Sequence, residues 1–127
     1  MHVVERRHTF PRTHQLRSKL DFSAVFDAGI RQSRGPLTVL ARPNDLPHPR
    51  LGLSLSRRVG NAVRRNRIKR LLREAFRLMQ HDLPRGYDIV VIVRPHEPLI
   101  LAEYQRLLSA LVVKLHQEWE KRSAAEK

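Results

Sequence analysis

The 127-residue chain contains no cysteine, which excludes disulfides and thiolate metal sites and is consistent with a reducing compartment such as the cytoplasm. Glycine is scarce: there are five, and none are spaced as a P-loop or a dinucleotide-binding turn requires. Long apolar runs are missing. The longest, Ile89 to Val93, falls far short of the ~20 residues that span a bilayer. The start of the chain, Met1 to His8, is polar and basic and lacks the apolar core of a signal peptide. Carboxylates are few as well. Asp plus Glu number 12 against 25 Lys plus Arg, which leaves a net charge of +13. Such an excess repels itself in a compact fold, so it suits a polyanionic partner, with nucleic acid the first candidate and an anionic membrane surface the second.

What is present fits one globular domain over residues 1–127, with 41% apolar residues. Residues 1–17 read as a loose basic arm and 121–127 as a fraying tail. Ser18 has the character of a helix N-cap, with Asp21 three residues on; Phe22, Val25 and Phe26 follow at helical spacing and Gly29 stops the run, giving a helix at about 19–28. Arg31 to Pro36 reads as turn. Leu37 to Ala41 reads as a strand, followed by a proline-rich loop and then Leu51 to Ser56, which alternates strictly. Leu51, Leu53 and Leu55 share one face. The other face, Gly52, Ser54 and Ser56, is bare; it either accepts close approach by another backbone or is simply covered or solvated. Asn61 caps a long helix running to about His81. Tyr87 to Val93 is the strongest strand, apolar enough to be central and covered on both faces. A last helix at about 100–120 carries Leu101, Tyr104, Leu108, Leu111, Val112, Leu115 and Trp119 near one stripe. These elements predict an α+β domain with helices packed on one sheet.

The central helix has two faces. Counted at about 100° per residue from Asn66, Arg70, Arg73 and Arg77 fall within about 40° of it, while Ile68, Leu71, Leu72, Ala75 and Met79 lie opposite, with Phe76 beside them. Arg67 and Lys69 flank the basic row. From Arg57 to Arg77 there are nine positive side chains and one carboxylate, Glu74, placed for an i,i+4 pair with Arg70. Self-pairing therefore cannot account for the row. The preference for Arg over Lys favours phosphate, which guanidinium grips through two hydrogen bonds, and base stacking. Arg57, Arg58, Arg64 and Arg65 bracket the helix start, whose free N–H groups also favour anions. Asn66 is placed either to read a base edge or sugar hydroxyl or to hold its arginine neighbours.

No catalytic constellation stands out. The seven histidines are scattered without a zinc spacing, and Asp82, Asp88 and Glu97 form no recognisable two-metal cluster.

The stretch from Gly52 to Phe76, GLSLSRRVGNAVRRNRIKRLLREAF, resembles the signature of the bacterial ribonuclease P protein subunit. Asp21, Phe22, Val25, Phe26 and Gly29 resemble that family's first helix, and the resemblance extends over about residues 16–118. It implies a compact two-layer α/β sandwich of order αβββαβα, with a left-handed βαβ crossover of the kind found in a ribosomal protein domain. It also implies that an RNA subunit performs the hydrolysis with Mg²⁺, releasing the mature 5′ end of tRNA, and that the protein itself has no active site. On that resemblance Arg57, Arg58, Asn61, Arg64, Arg65, Asn66, Arg67, Lys69, Arg70, Arg73 and Arg77 bind the RNA subunit. Phe22 and Phe26 line a cleft for the 5′ leader of precursor tRNA, although the residues alone fit core positions, cleft positions or both. The resemblance further implies a monomeric protein in a 1:1 cytoplasmic ribonucleoprotein. The sequence departs from the family at Leu37 to Ala41, which lacks the aromatic residue that related proteins often carry on this strand. A non-catalytic, ribosomal-type RNA binder is the alternative.

Overall fold

A computed structural model describes residues 14–84 and 86–125, apart from the side chain of Ala28. Most of the basic arm expected at 1–17 and the last two residues of the tail lie outside that range. Ser18 begins α1 (Lys19–Ala28) as a cap, its Oγ accepting the Asp21 N–H at 3.0 Å. The Gly29 N–H closes the helix on the Val25 carbonyl. The chain then forms β1 (Ile30–Arg34), β2 (Leu37–Pro43) and β3 (Arg50–Leu55), a 3-10 turn at Arg57–Val59, α2 (Ala62–Met79), β4 (Tyr87–Val93) and α3 (Leu101–Ala125). The order αβββαβα is the expected one.

The four strands lie in the order β1-β2-β4-β3. β4 pairs antiparallel with β2 and parallel with β3, so α2 is the crossover between two parallel neighbours. β4 is central, as its apolar run predicts, and only Ile92 of its residues is not buried.

One sheet face carries Leu37, Val39, Ala41, Leu51, Ile89, Val91 and Val93. It packs against Ile68, Leu72, Ala75, Phe76 and Met79 of α2 and against Tyr104, Leu107, Leu108, Leu111, Val112 and Leu115 of α3. Burying each of these larger side chains contributes roughly 1.5–3 kcal/mol. The other face has a smaller cluster of Leu16, Val25, Leu40 and Val90, joined by Phe22 and Ile92. α1 therefore sits across the sheet from α2 and α3, and the sandwich has a partial third layer.

The structure corrects several sequence boundaries. Of Arg31 to Pro36, expected as turn, Arg31 to Arg34 belong to strand β1: the strand has no apolar alternation of its own and is held by its ladder to β2. Gly35, at φ 57°, and Pro36 make the reversal that follows. Arg31, Ser33 and Arg34 are exposed on this outer strand. At the opposite edge Gln15 bridges Leu51, and the Leu16 N–H donates to the Leu51 carbonyl at 2.9 Å, so residues 15 and 16 extend the sheet rather than belonging to a loose arm. α3 continues to Ala125, beyond the expected end near 120. Lys121, Arg122, Ala124 and Ala125 are good helix formers, and Trp119 ties the helix to the sheet by donating Nε1–H to the Ala41 carbonyl at 2.8 Å.

Candidate nucleic-acid interface

The start of α2 is built from a few local contacts. Val59 is buried and anchors the 3-10 turn, which leaves Arg57 and Arg58 exposed between Ser56 and Gly60. Gly60 adopts φ 148°, where a side chain would be strained, and a Cβ there would meet the Arg64 stem at 2.5 Å. Asn61 is the cap, its Oδ1 accepting the Arg64 N–H at 2.9 Å. The Arg65 guanidinium donates to the Gly60 carbonyl at 2.8 Å, so this side chain braces the turn. Arg64 reaches Glu97 at 3.4 Å. Glu97 lies in the segment between β4 and α3, which Tyr104 fixes. Its hydroxyl accepts the Leu99 N–H at 3.1 Å and meets His96 Nε2 at 2.7 Å, while His96 Nδ1 lies 2.8 Å from the Arg94 carbonyl. That pattern makes Nδ1 the protonated ring nitrogen and directs the phenol proton to Nε2. Burial pushes the Tyr104 phenol up.

Beyond the first turn, Asn66, Arg70, Arg73, Glu74 and Arg77 line a shallow groove of about 490 Å³ along the helix. The angular count is borne out: Ile68, Leu72, Ala75, Phe76 and Met79 are buried, while Asn66, Arg67, Arg70 and Arg73 are exposed on the other side. Lys69 is half-buried at the margin. The expected Glu74–Arg70 pair does not form. Glu74 instead takes Arg77 through both carboxylate oxygens, Nε donating to Oε2 at 3.0 Å and Nη2 to Oε1. The Arg77 guanidinium holds the Glu74 carboxyl below the usual carboxylate range, chiefly by this hydrogen bonding. Among the described residues no ion pair engages Arg57, Arg58, Arg65, Arg67, Lys69, Arg70 or Arg73. A row of unpaired guanidinium groups on one side of a helix whose other side is core is an anion-binding surface.

Phe22 and Phe26 stand on the far side of the sheet from this row. The Phe22 ring covers Gly52, where an added Cβ would come within 2.6 Å of its Cζ. Phe22 is half-buried in the smaller cluster, whereas Phe26 is 39% exposed. The bare face expected at Gly52, Ser54 and Ser56 thus divides: Gly52 is covered by an aromatic ring, Ser54 is half-buried and Ser56 is exposed. Ladder register places Ser33, Thr38, Ile92 and Ser54 in one row across this face, beyond the cover of Phe22, and the Ser33 and Thr38 hydroxyls are 2.8 Å apart. The result is a strip of hydroxyl groups, interrupted by Ile92, beside two aromatic side chains.

Sequence reasoning missed what closes the other end of that face. Asp88, 2% exposed, accepts Arg50 Nε and Nη2 at 2.7 Å each and Asn44 Nδ2 at 2.8 Å. The usable signal was a lone acid near the start of an apolar strand. The histidines are less scattered than the sequence suggested. His14 stacks on His48 with centroids 3.8 Å apart, and both line a small cavity with Gln80 and His81. Among the described residues no group of three or more His, Asp or Glu could hold a metal ion.

A family model described as Ribonuclease P matches residues 10–117 of the chain. Over 86 residues the chain is 57% identical to the ribonuclease P protein component of Methylococcus capsulatus, covering 67% of this chain and 66% of that protein. It is 50% identical to the corresponding protein of Photorhabdus laumondii, covering 67% and 71%. The match thus spans about two thirds of these relatives' own length. Among solved structures, a Staphylococcus aureus RNase P protein mutant described as defective in mRNA degradation superposes with a TM-score of 0.73 at 30% identity, over 84% of this chain and 90% of that one. The RNase P protein from Thermotoga maritima superposes with a TM-score of 0.71 at 35% identity, over 77% and 94%.

Proposed function

Because the chain belongs to the ribonuclease P protein family, we propose that it is the protein subunit of a tRNA-processing ribonucleoprotein and works through two separate RNA surfaces. The α2 row docks on the catalytic RNA, and the strip beside α1 receives the single-stranded 5′ leader of precursor tRNA. The RNA subunit carries out the Mg²⁺-dependent hydrolysis in a 1:1 cytoplasmic complex. No described helix is long and apolar enough to cross a membrane.

The observation that carries this reading is the exposed row of Arg67, Arg70 and Arg73, which lacks ion pairs among the described residues. Phosphates would supply the missing counter-charges. The protein would neutralise charge between two RNAs and so lower the demand for Mg²⁺. On the other face, the exposed part of Phe26 and the edge of Phe22 offer stacking surface, and the serine and threonine hydroxyls of β1, β2 and β3 leave room for a backbone. Arg65 contributes to docking mainly by holding the Gly60 turn, because its guanidinium is already engaged there.

The test is reconstitution with the family's RNA subunit at low Mg²⁺, following precursor tRNA cleavage. Stimulation over RNA alone is expected; none would overturn the reading. Cleavage by the protein without RNA would overturn the assignment of catalysis.

A further inference from the structure

The basic groove contains its own anion. Of the described side chains lining it, only Glu74 is acidic, and it does not sit passively beside the row: its carboxylate grips the Arg77 guanidinium in the two-point geometry that a phosphate uses. Arg70, one turn earlier and equally within helical reach of Glu74, has no ion pair among the described residues. A partly exposed i,i+3 pair contributes little to helix stability, so the pair can open without unfolding α2. We propose that Glu74 is an intramolecular stand-in for a backbone phosphate, holding Arg77 in the free protein and releasing it when an RNA backbone docks in the groove. The proposal rests on the α2 row being an RNA-docking surface.

The exchange replaces one two-point acceptor with another, so Arg77 is never left without an anion. What drives it is the neighbouring contacts. An isolated anion offers Arg77 little that Glu74 does not already provide. A continuous backbone also engages Arg70 and Arg73, and those contacts tip the balance. Glu74 then repels any chain that fails to place a phosphate near Arg77, so the groove favours an RNA backbone of matching shape over polyanions in general. The lowered proton affinity of Glu74 keeps the stand-in charged across the working pH range.

The experiment measures binding of the RNA subunit to the full chain as a function of salt, for wild type, Glu74→Gln, Arg77→Ala, the double variant and Arg70→Ala. Glu74→Gln should tighten binding roughly two- to fivefold, since it removes a competitor of surface-pair strength. Arg77→Ala in the wild-type background should weaken binding and lower the slope of log K against log salt by ~0.7–0.9, because Arg77 is on a phosphate in the complex. In the Arg77→Ala background, Glu74→Gln should lose most of its effect. Equal tightening in both backgrounds would reduce Glu74 to general repulsion and overturn the proposal. So would no tightening by Glu74→Gln, or an Arg77→Ala variant with an unchanged slope. If Arg70→Ala also leaves affinity and slope unchanged, the docking reading itself fails.

Discussion

Asp88 is a carboxylate inside an otherwise apolar strand, and it stays there because Arg50 and Asn44 meet it from neighbouring segments. Removing Arg50 leaves that carboxylate buried with only Asn44. Arg50→Ala is therefore expected to cost about 2–3 kcal/mol in denaturant unfolding, below the cost of breaking a fully buried pair because one side of Arg50 meets solvent. His14 provides a second residue-scale prediction. Burial, then the neighbouring His48, lowers its affinity for a proton, and Gln80 only partly offsets them. Above its ordinary pKa of 6.5 the ring is neutral whether folded or unfolded. As pH falls through 6.5 the unfolded chain takes up the proton first, so this residue makes stability decline with acidity. The urea midpoint should drop between about pH 7.5 and 5.5, and His14→Gln should reduce the drop. An equal drop in the variant would move the effect to other groups.

At the scale of elements, what could be read in advance was what local chemistry decides. Ser18 and Asn61 cap the helices they were expected to cap, and both faces of α2 follow from the spacing of Ile68, Leu72 and Phe76 against Arg70 and Arg73. Asn61→Ala should cost about 1 kcal/mol and fray the first turn of α2, seen as faster amide exchange at Arg64. β1 was unreadable because five mostly polar residues become a strand only when β2 is beside them. The Arg50–Asp88 pair joins residues 38 apart in sequence, and Phe22 meets Gly52 only through the topology of the sheet. The outline of the proposed RNA surface was therefore legible as far as helical periodicity reaches. Its internal pairing was not: Glu74 had two arginines within reach, and only the folded rotamers choose Arg77.

For the whole molecule, the informative relation is that the sheet separates the two proposed RNA surfaces. α2 lies against one face and α1 against the other, so the sheet stands between Arg70 and Phe26. Perturbations at such independent sites add to within about 0.5 kcal/mol. Arg70→Ala should weaken assembly with the RNA subunit, and Phe26→Ala should weaken binding of precursor more than of mature tRNA. Combined, their free-energy changes in precursor binding by the assembled complex should sum. A clear excess or shortfall would indicate that RNA on one surface reshapes the other.

The outer strand β1 has a further consequence, for the protein before it meets RNA. The β3 edge meets Gln15 and Leu16, whereas among the described residues no strand pairs with the outer side of β1, along which Arg31 and Arg34 are exposed. Two copies approaching through that edge would bring like charges together, so the positions that make it a poor strand by sequence also make it a poor template for self-association. On the proposed function, the charge that recruits RNA would thereby also keep copies of the chain apart before they meet their partner.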